Sequence, residues 1–385
     1  MFLTLIIFLI VLSLLVFVHE FGHFYTAQKC GIKAEEFGFG YPPRAFGVYK
    51  KQDGRWHKVW GNKEIKDAKN TVYSINWIPL GGFVKIKGED GQENSDQDNF
   101  NNHSIWQRAL VISAGVIMNI VLAVVLVSVG FMIGLPHVIE DVNSHAIVKD
   151  QQVQVMQILP SSAADGKLQE QDVIYKVNDK IIKNETDLQE INNTNIGQEL
   201  NYVIKRDNQE LDVKLTPQFI EETGKGGIGV AIVTTGMVKY PWYWAIWQGI
   251  KTTFLWLWLI ILAFYEMIKG LIVGQGLPTN VAGPVGIASM TGQFAKMGFV
   301  YLLQFVSLLS LNLAILNFLP FPALDGGRII FLIIEKLKGS PVKREVEAII
   351  HNIGFTLLMI LVVVITFKDV SKFSYVFKNL WNKIF

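Results

Sequence analysis

Cysteine is nearly absent from this sequence: Cys30 is the only one among 385 residues. No intrachain disulfide and no cysteine-built metal centre can form, and Cys30 reads as an inert thiol. A dominant sign of charge is lacking too, since the formal net charge is only +2. The basic residues form no stripe with interleaved aromatics, which argues against nucleic acid as a partner. The N-terminus lacks a basic leader region and a small-residue cleavage site, so its apolar run is expected to be retained as a helix.

What the sequence has instead is apolar mass. Hydrophobic residues make up 50% of the chain and mean hydropathy is +0.32, concentrated in a few long runs. A bilayer core takes about 20 residues of apolar helix. The expected fold class is therefore a polytopic α-helical membrane protein. Met1–Val18 carries no charge and runs straight into His19-Glu20-Phe21-Gly22-His23, within a first span assigned to 1–26. On a helix, positions i and i+4 share a face, so His19 and His23 can offer nitrogens to one Zn²⁺. Glu20 sits beside such a metal without ligating it, and a carboxylate there can take a proton from water in peptide hydrolysis. A charge at mid-membrane costs roughly 3 kcal/mol, so ionisable groups at this depth are functional candidates. The plain alternative is that the helix ends at Val18 and His19-Glu20 flanks a signal anchor.

Residues 27–107 form a polar segment rich in Lys and Arg, placed in the cytoplasm by the positive-inside tendency. Phe37–Pro43 and Ile78–Lys87 alternate apolar with polar or Gly residues and are expected as short membrane-associated strands. They suit an ordinary surface hairpin, or an edge that an unfolded substrate joins as an added strand at Gly81, Gly82, Phe83 and Val84. A second span is assigned to 108–135, where Ala114 and Gly115 permit close helix contact and Asn119 is expected to hydrogen-bond between helices. Residues 136–239 have the composition of a soluble α/β domain. Strands are expected at Val153–Leu159, Asp172–Val177, Leu200–Lys205 and Leu211–Leu215, a turn and short helix at Ser161–Leu168, and a helix at Asp187–Ile191. His137 and His145 read as solvated surface residues. Within 240–297, Trp242, Trp244, Trp247, Trp256 and Trp258 surround Lys251, a pattern that suits either a crossing or a helix lying in the interface.

Gly298–Leu324 is a further uncharged run, broken by Pro320 and Pro322 just before Asp325-Gly326-Gly327. Asp325 is either a turn residue of the kind Asp-Gly favours or the third ligand of a site with two His and one carboxylate. A third span is assigned to 298–330, a cytoplasmic loop to 331–347, a fourth span to 348–367 and a tail to 368–385. His351 reads as an interfacial or packing residue. If His19, His23 and Asp325 share a metal, they lie on one side at similar depth. An odd number of crossings then separates the soluble domain from Asp325, so the Trp-rich stretch does not cross. Four spans follow, with both termini outside. Lys368, Lys372, Lys378 and Lys383 oppose this arrangement, and the basic residues between Arg328 and Arg344 support it.

His19-Glu20-x-x-His23, taken with Asn317-x-x-Pro320-x-Pro322-x-Leu324-Asp325-Gly326, resembles the site-2 protease family of intramembrane zinc metalloproteases. Ile78–Lys85, Gly283-Pro284-Val285-Gly286-Ile287 and a stretch over 160–179 that looks like the middle of a PDZ domain extend the likeness over nearly the whole chain. It is closest to the bacterial, PDZ-bearing branch. The resemblance implies zinc on His19, His23 and Asp325, Glu20 as catalytic acid and base, and Asn317 as a substrate contact. It also implies single-span membrane substrates, of the anti-sigma-factor and remnant-signal-peptide kinds, trimmed first by another protease. The setting implied is the bacterial cytoplasmic membrane, with the active site toward the cytoplasm and the PDZ-like domain outside, where it would exclude untrimmed substrates. Two departures stand out: Gln171-Asp172 where Gly-Asp is usual, and Gly115-Val116 where relatives often have Gly-Pro, a pair expected to touch no catalytic group. A metal transporter or a silent PDZ scaffold shares parts of this pattern, but neither needs Glu20 in that register.

Overall fold

The computed structural model describes residues 2–63, 65, 68–89, 96–139, 142–206, 209–221, 224–274 and 282–384, with side chains through 371. Parts of the expected cytoplasmic loop, soluble domain and Trp-rich segment lie outside these residues, as do the side chains of Lys372, Lys378 and Lys383. The chain divides into two compact units, Met1–Val127 with Gly249–Phe385, and Ser128–Gln248.

The first unit opens with helix α1 (Phe2–Lys29), uncharged through its first 17 residues and closed by Gly31 at φ +81°. Strands β1 (Ala34–Lys50), β2 (Trp56–Trp60) and β3 (Val72–Ile86) form an antiparallel sheet in the order β2-β1-β3. Both strands that contain the expected segments are longer than expected. β3 doubles back around its partner, since Phe37 of β1 pairs with Tyr73 on one side and Val84 on the other. Gly81, at φ +73°, lies so close to α1 that a Cβ there would sit 2.5 Å from the Val16 side chain. Ser13 of α1 fixes this approach: its hydroxyl donates to the Pro79 carbonyl at 3.0 Å and accepts from the Gly81 amide at 3.3 Å.

Helix α2 (Ile105–Ile133) follows, and its last residues enter the second unit. There β4 (Leu135–Val138), β5 (Ile147–Ile158), β6 (Val173–Val177), β7 (Lys180–Ile181), α3 (Glu185–Thr194), β8 (Leu200–Arg206), β9 (Gln209–Leu215), β10 (Gln218–Ile220), β11 (Lys225–Gly227) and β12 (Val230–Lys239) succeed one another. The main sheet runs β4-β12-β5-β6-β8-β9, with β7 paired to β6. Val153, Val155, Ile174, Tyr202, Ile204, Leu215 and Ile228 make its core. Full burial of each such side chain contributes roughly 1.5–3 kcal/mol. The expected strands at Val153, Asp172, Leu200 and Leu211 are present, as is the helix at Asp187, begun at Glu185 by the Asn184 side chain accepting from Asp187 N–H at 2.8 Å. The short helix expected within Ser161–Leu168 is absent. Positive φ at Ser161 (62°) and Gly166 (72°) turns the chain instead. Strand β12, not foreseen, sits between β4 and β5.

The remaining helices are α4 (Trp242–Ile272), α5 (Pro284–Met297), α6 (Phe299–Phe318), α7 (Asp325–Lys338) and α8 (Arg344–Ile384). Among the described residues, five helices are long and apolar enough to cross a membrane: α1, α2, α4, α6 and the Arg344–Ser371 part of α8. The assignment of 298–330 to one span fails, because prolines at 320 and 322 end α6 at Phe318 and a new helix starts at Asp325. The assigned loop 331–347 begins inside α7, and the last helix starts at Arg344 and continues beyond 367.

Asp172 is 1% exposed and held by Arg206 through two hydrogen bonds of 2.7 Å. The residue before it, Gln171, has φ +74°. A side chain there costs about 1 kcal/mol that glycine avoids. Gln171→Gly is expected to stabilise the protein by up to about 0.5 kcal/mol after the glycine's own entropy loss, seen as a slightly higher midpoint in thermal unfolding of the detergent-solubilised chain.

Candidate active site

His19 and His23 lie one turn apart on α1, and both are buried, at 6% and 8% exposure. Asp325 begins α7, where the positive end of the helix dipole favours a carboxylate. Gly326 and Gly327 allow that start to fold back on the end of α6 and the turn after it: a Cβ on Gly326 would sit 2.6 Å from the Phe318 carbonyl carbon, and one on Gly327 2.9 Å from that of Phe321. Two ion pairs tether α7 further along, Arg328 with Glu89 beyond β3 and Arg108 of α2 with Glu335.

These elements bring three ligand atoms together. His19 Nε2 lies 3.1 Å and His23 Nε2 3.4 Å from Asp325 Oδ2, and the two nitrogens are 3.2 Å apart. A tetrahedral Zn²⁺ with bonds of about 2.05 Å requires ligand separations of about 3.3 Å. Among the described residues, Asp325 Oδ2 is buried and has no hydrogen-bond partner, as an atom reserved for a cation would be. The residues therefore fit the metal.

The groups behind them fit as well. His23 Nδ1 lies 2.8 Å from the Val111 carbonyl, so Nδ1 carries the proton and Nε2 is free to ligate. His19 Nδ1 lies 3.4 Å from the Asn119 amide nitrogen. A half-turn of that amide, whose Oδ1 is buried and unpartnered, would supply the same kind of acceptor. Asn119 thus does bond between helices, but its partner is His19. Asn317 also reaches the cluster, its amide 3.4 Å from His19 Nε2. Gly82 passes Glu20 closely enough that a Cβ there would sit 3.2 Å from the Glu20 Cβ. The rest of the expected strand segment, Gly81, Phe83 and Val84, continues β3 along the same part of α1 and back to β1.

The expectation that Gly115-Val116 touches no catalytic group is wrong for Gly115. A Cβ on Gly115 would sit 2.6 Å from His19 Cε1 and would also collide with His23 Nε2. Gly22 of α1 faces α2 closely too: a Cβ there would sit 2.8 Å from the Ala114 carbonyl carbon. Small residues are common at helix contacts, and nothing in the linear sequence says which contact lies over the imidazoles.

The model of peptidase family M50 matches residues 7–361. The chain belongs to that family. Similar curated proteins include the regulator of sigma-W protease RasP of Bacillus subtilis, 30% identical over 96% of this chain and 98% of that one. A putative zinc metalloprotease of Clostridium perfringens is 33% identical over 94% of this chain and 97% of that one. Protease RseP of Yersinia pestis is 29% identical over 95% of this chain and 98% of that one. Among solved structures, the PDZ domain of an SdrC-like protein from Listeria innocua matches at 20% identity and a TM-score of 0.20, covering 21% of this chain and 92% of that one. This M50 peptidase is a zinc metalloprotease of the site-2 type, and its apolar helices place it in a membrane.

Gly115→Ala is expected to lower the zinc content of the purified protein severalfold while leaving it folded. Leu110→Ala, which alters an exposed position on the same helix, should leave zinc unchanged, both read by elemental analysis.

Proposed function

We propose that this peptidase cuts single-span membrane proteins within or near their membrane segments, using a metal held by His19, His23 and Asp325. The observation that carries this is the meeting of the three ligand atoms at 3.1–3.4 Å beside Glu20. Zinc bound there supplies Lewis-acid polarisation at neutral pH. Glu20 takes a proton from the attacking water and passes it to the leaving amine as the peptide C–N bond breaks. Asn317, at the rim of the cluster, orients the substrate backbone.

A helical peptide bond is shielded by its own turns, so a substrate must be unwound before it is cut. The limb Gly82–Ile86 of β3 pairs with β1 on one side and runs past Glu20. It offers an edge on which an extended substrate adds as a strand. The anti-sigma-factor kind of substrate is supported by a relative whose name ties it to regulation of sigma-W. The unit at 128–248, read as PDZ-like, screens out substrates whose outer domain is untrimmed.

Four crossings fit this reading better than five. Gly292 of α5 packs on Thr4 at the start of α1, fifteen residues before His19, which supports a chain that after α4 lies on the side where α1 begins. Gly283 of α5 packs on Ile365 and Asp369, far along α8. Helix α4 then lies in the interface with its tryptophans, and both termini share the soluble unit's side, outside the cytoplasmic membrane.

Glu20→Gln is expected to retain one zinc and lose cleavage of a single-span substrate by at least about 100-fold. Val84→Pro, assayed alongside, should keep zinc and lose cleavage because proline removes a ladder donor. Retained activity in either variant refutes the role given to that residue. In a Cys30→Ser background, cysteines at Trp247 and Phe264 should be labelled from the same side of the membrane, and labelling from opposite sides would overturn the four-span arrangement.

A further inference from the structure

Asp325 is aimed at the two imidazoles by the turn over 319–324, and part of what holds that turn lies outside it. Pro320 and Pro322 have no N–H to give. Leu319 N–H donates to carbonyls of α6 at 3.1 Å, Phe321 N–H to the Leu319 carbonyl at 2.7 Å, and Leu324 N–H to the Phe321 carbonyl at 3.2 Å. Ala323 N–H instead donates to Nδ1 of His351 on α8, at 2.8 Å. Ala323 also has φ +76°, a left-handed conformation that costs a residue with a Cβ about 1 kcal/mol and persists only where the surroundings over-determine it.

The rest of α8 is built around this contact. Gly354, nearly one turn beyond His351, lies against the same turn, where a Cβ would sit 2.8 Å from the Pro322 carbonyl carbon. The ring of His351 is 5.4 Å from that of Phe331 on α7. Its Nε2 is buried 3.9 Å from a Glu347 carboxylate oxygen. Accepting at Nδ1 means that the ring proton sits on Nε2. His351 is therefore more than a packing residue, because among the described residues it is its Nδ1 that accepts from the Ala323 amide.

We propose that His351 is a positioning residue of the metal centre, whose Nδ1 pins the Ala323 amide and so sets the direction in which the Asp325 carboxylate faces the two imidazoles. It touches neither the ligand atoms nor Glu20 and acts through the backbone of the turn. The inference rests on the reading of Asp325 as a metal ligand. A helix-packing role predicts that any side chain filling the space serves equally. A pinning role requires an acceptor at Nδ1, which the Oδ1 of asparagine reproduces and leucine does not.

The test uses the full-length protein in detergent. Zinc affinity is measured by chelator competition, and the ligand field by the visible absorption of the Co²⁺-substituted protein. His351→Leu is expected to weaken zinc by about 10- to 100-fold, the range typical of groups that orient a metal ligand, and to shift the Co²⁺ bands. His351→Asn should bind within about threefold of wild type. The proposal is overturned if His351→Leu binds zinc as wild type does, or if the leucine and asparagine variants lose it equally. Asp325→Ala separates the two readings. Wild-type zinc affinity in that variant refutes the three-ligand site itself, whereas its loss there with retention in His351→Leu refutes only the role of His351.

Discussion

Three lone-pair-bearing atoms, two imidazole nitrogens and a carboxylate oxygen, meet within 3.4 Å of one another among apolar helices. Polar groups buried without partners cost a few kcal/mol each, and a cation shared by all three removes that cost. Much of the first unit can be understood as what makes the meeting geometrically available. Helix α2 approaches α1 at Gly22, Ala114 and Gly115, and a side chain on Gly115 would push the imidazoles aside. Its Val111 carbonyl and Asn119 amide then orient the two rings from behind. Helix α6 is tied into the same cluster by Ser310, whose hydroxyl donates to the Asn119 carbonyl at 2.7 Å.

The same face of α1 carries both the chemistry and the strand beside it. Ser13, Val16, Phe17 and Glu20 follow one another at helical spacing, and Pro79–Gly82 of β3 lies along them. Two glycines are needed because the strand backbone passes within van der Waals contact of the helix. A substrate extended along β3, as proposed above, would thereby lie beside Glu20. Proximity of this kind lowers the entropic part of a barrier without any new contact to the reacting atoms.

The second unit is stabilised differently. It has a continuous apolar core under a mixed-length sheet, and a fully buried carboxylate, Asp172, is paired with Arg206 in a bidentate bond. Removing one partner of such a pair would leave a buried charge, so both belong to the fold. Alternation revealed β5, β6, β8 and β9. It did not reveal β12, whose Thr234, Thr235 and Gly236 interrupt the apolar pattern in the middle of the strand.

The sequence alone determined which residue types are available for catalysis, that His19 and His23 share a helix face, that prolines interrupt the chain before Asp325, and that several runs are apolar enough for a membrane. These follow from local geometry, the 3.6-residue period and the missing proline N–H, which need no knowledge of neighbours. The family likeness of the paired motifs was legible in the same way. Only the tertiary structure decided that Asp325 opens a separate helix, that Gly115 and Asn119 face the imidazoles, and that His351 accepts from the Ala323 amide. Those contacts join residues 28 to 100 positions apart. They depend on which faces of packed helices meet, and apolar helices with nearly uniform surfaces leave that choice to close packing rather than to any pattern along the chain.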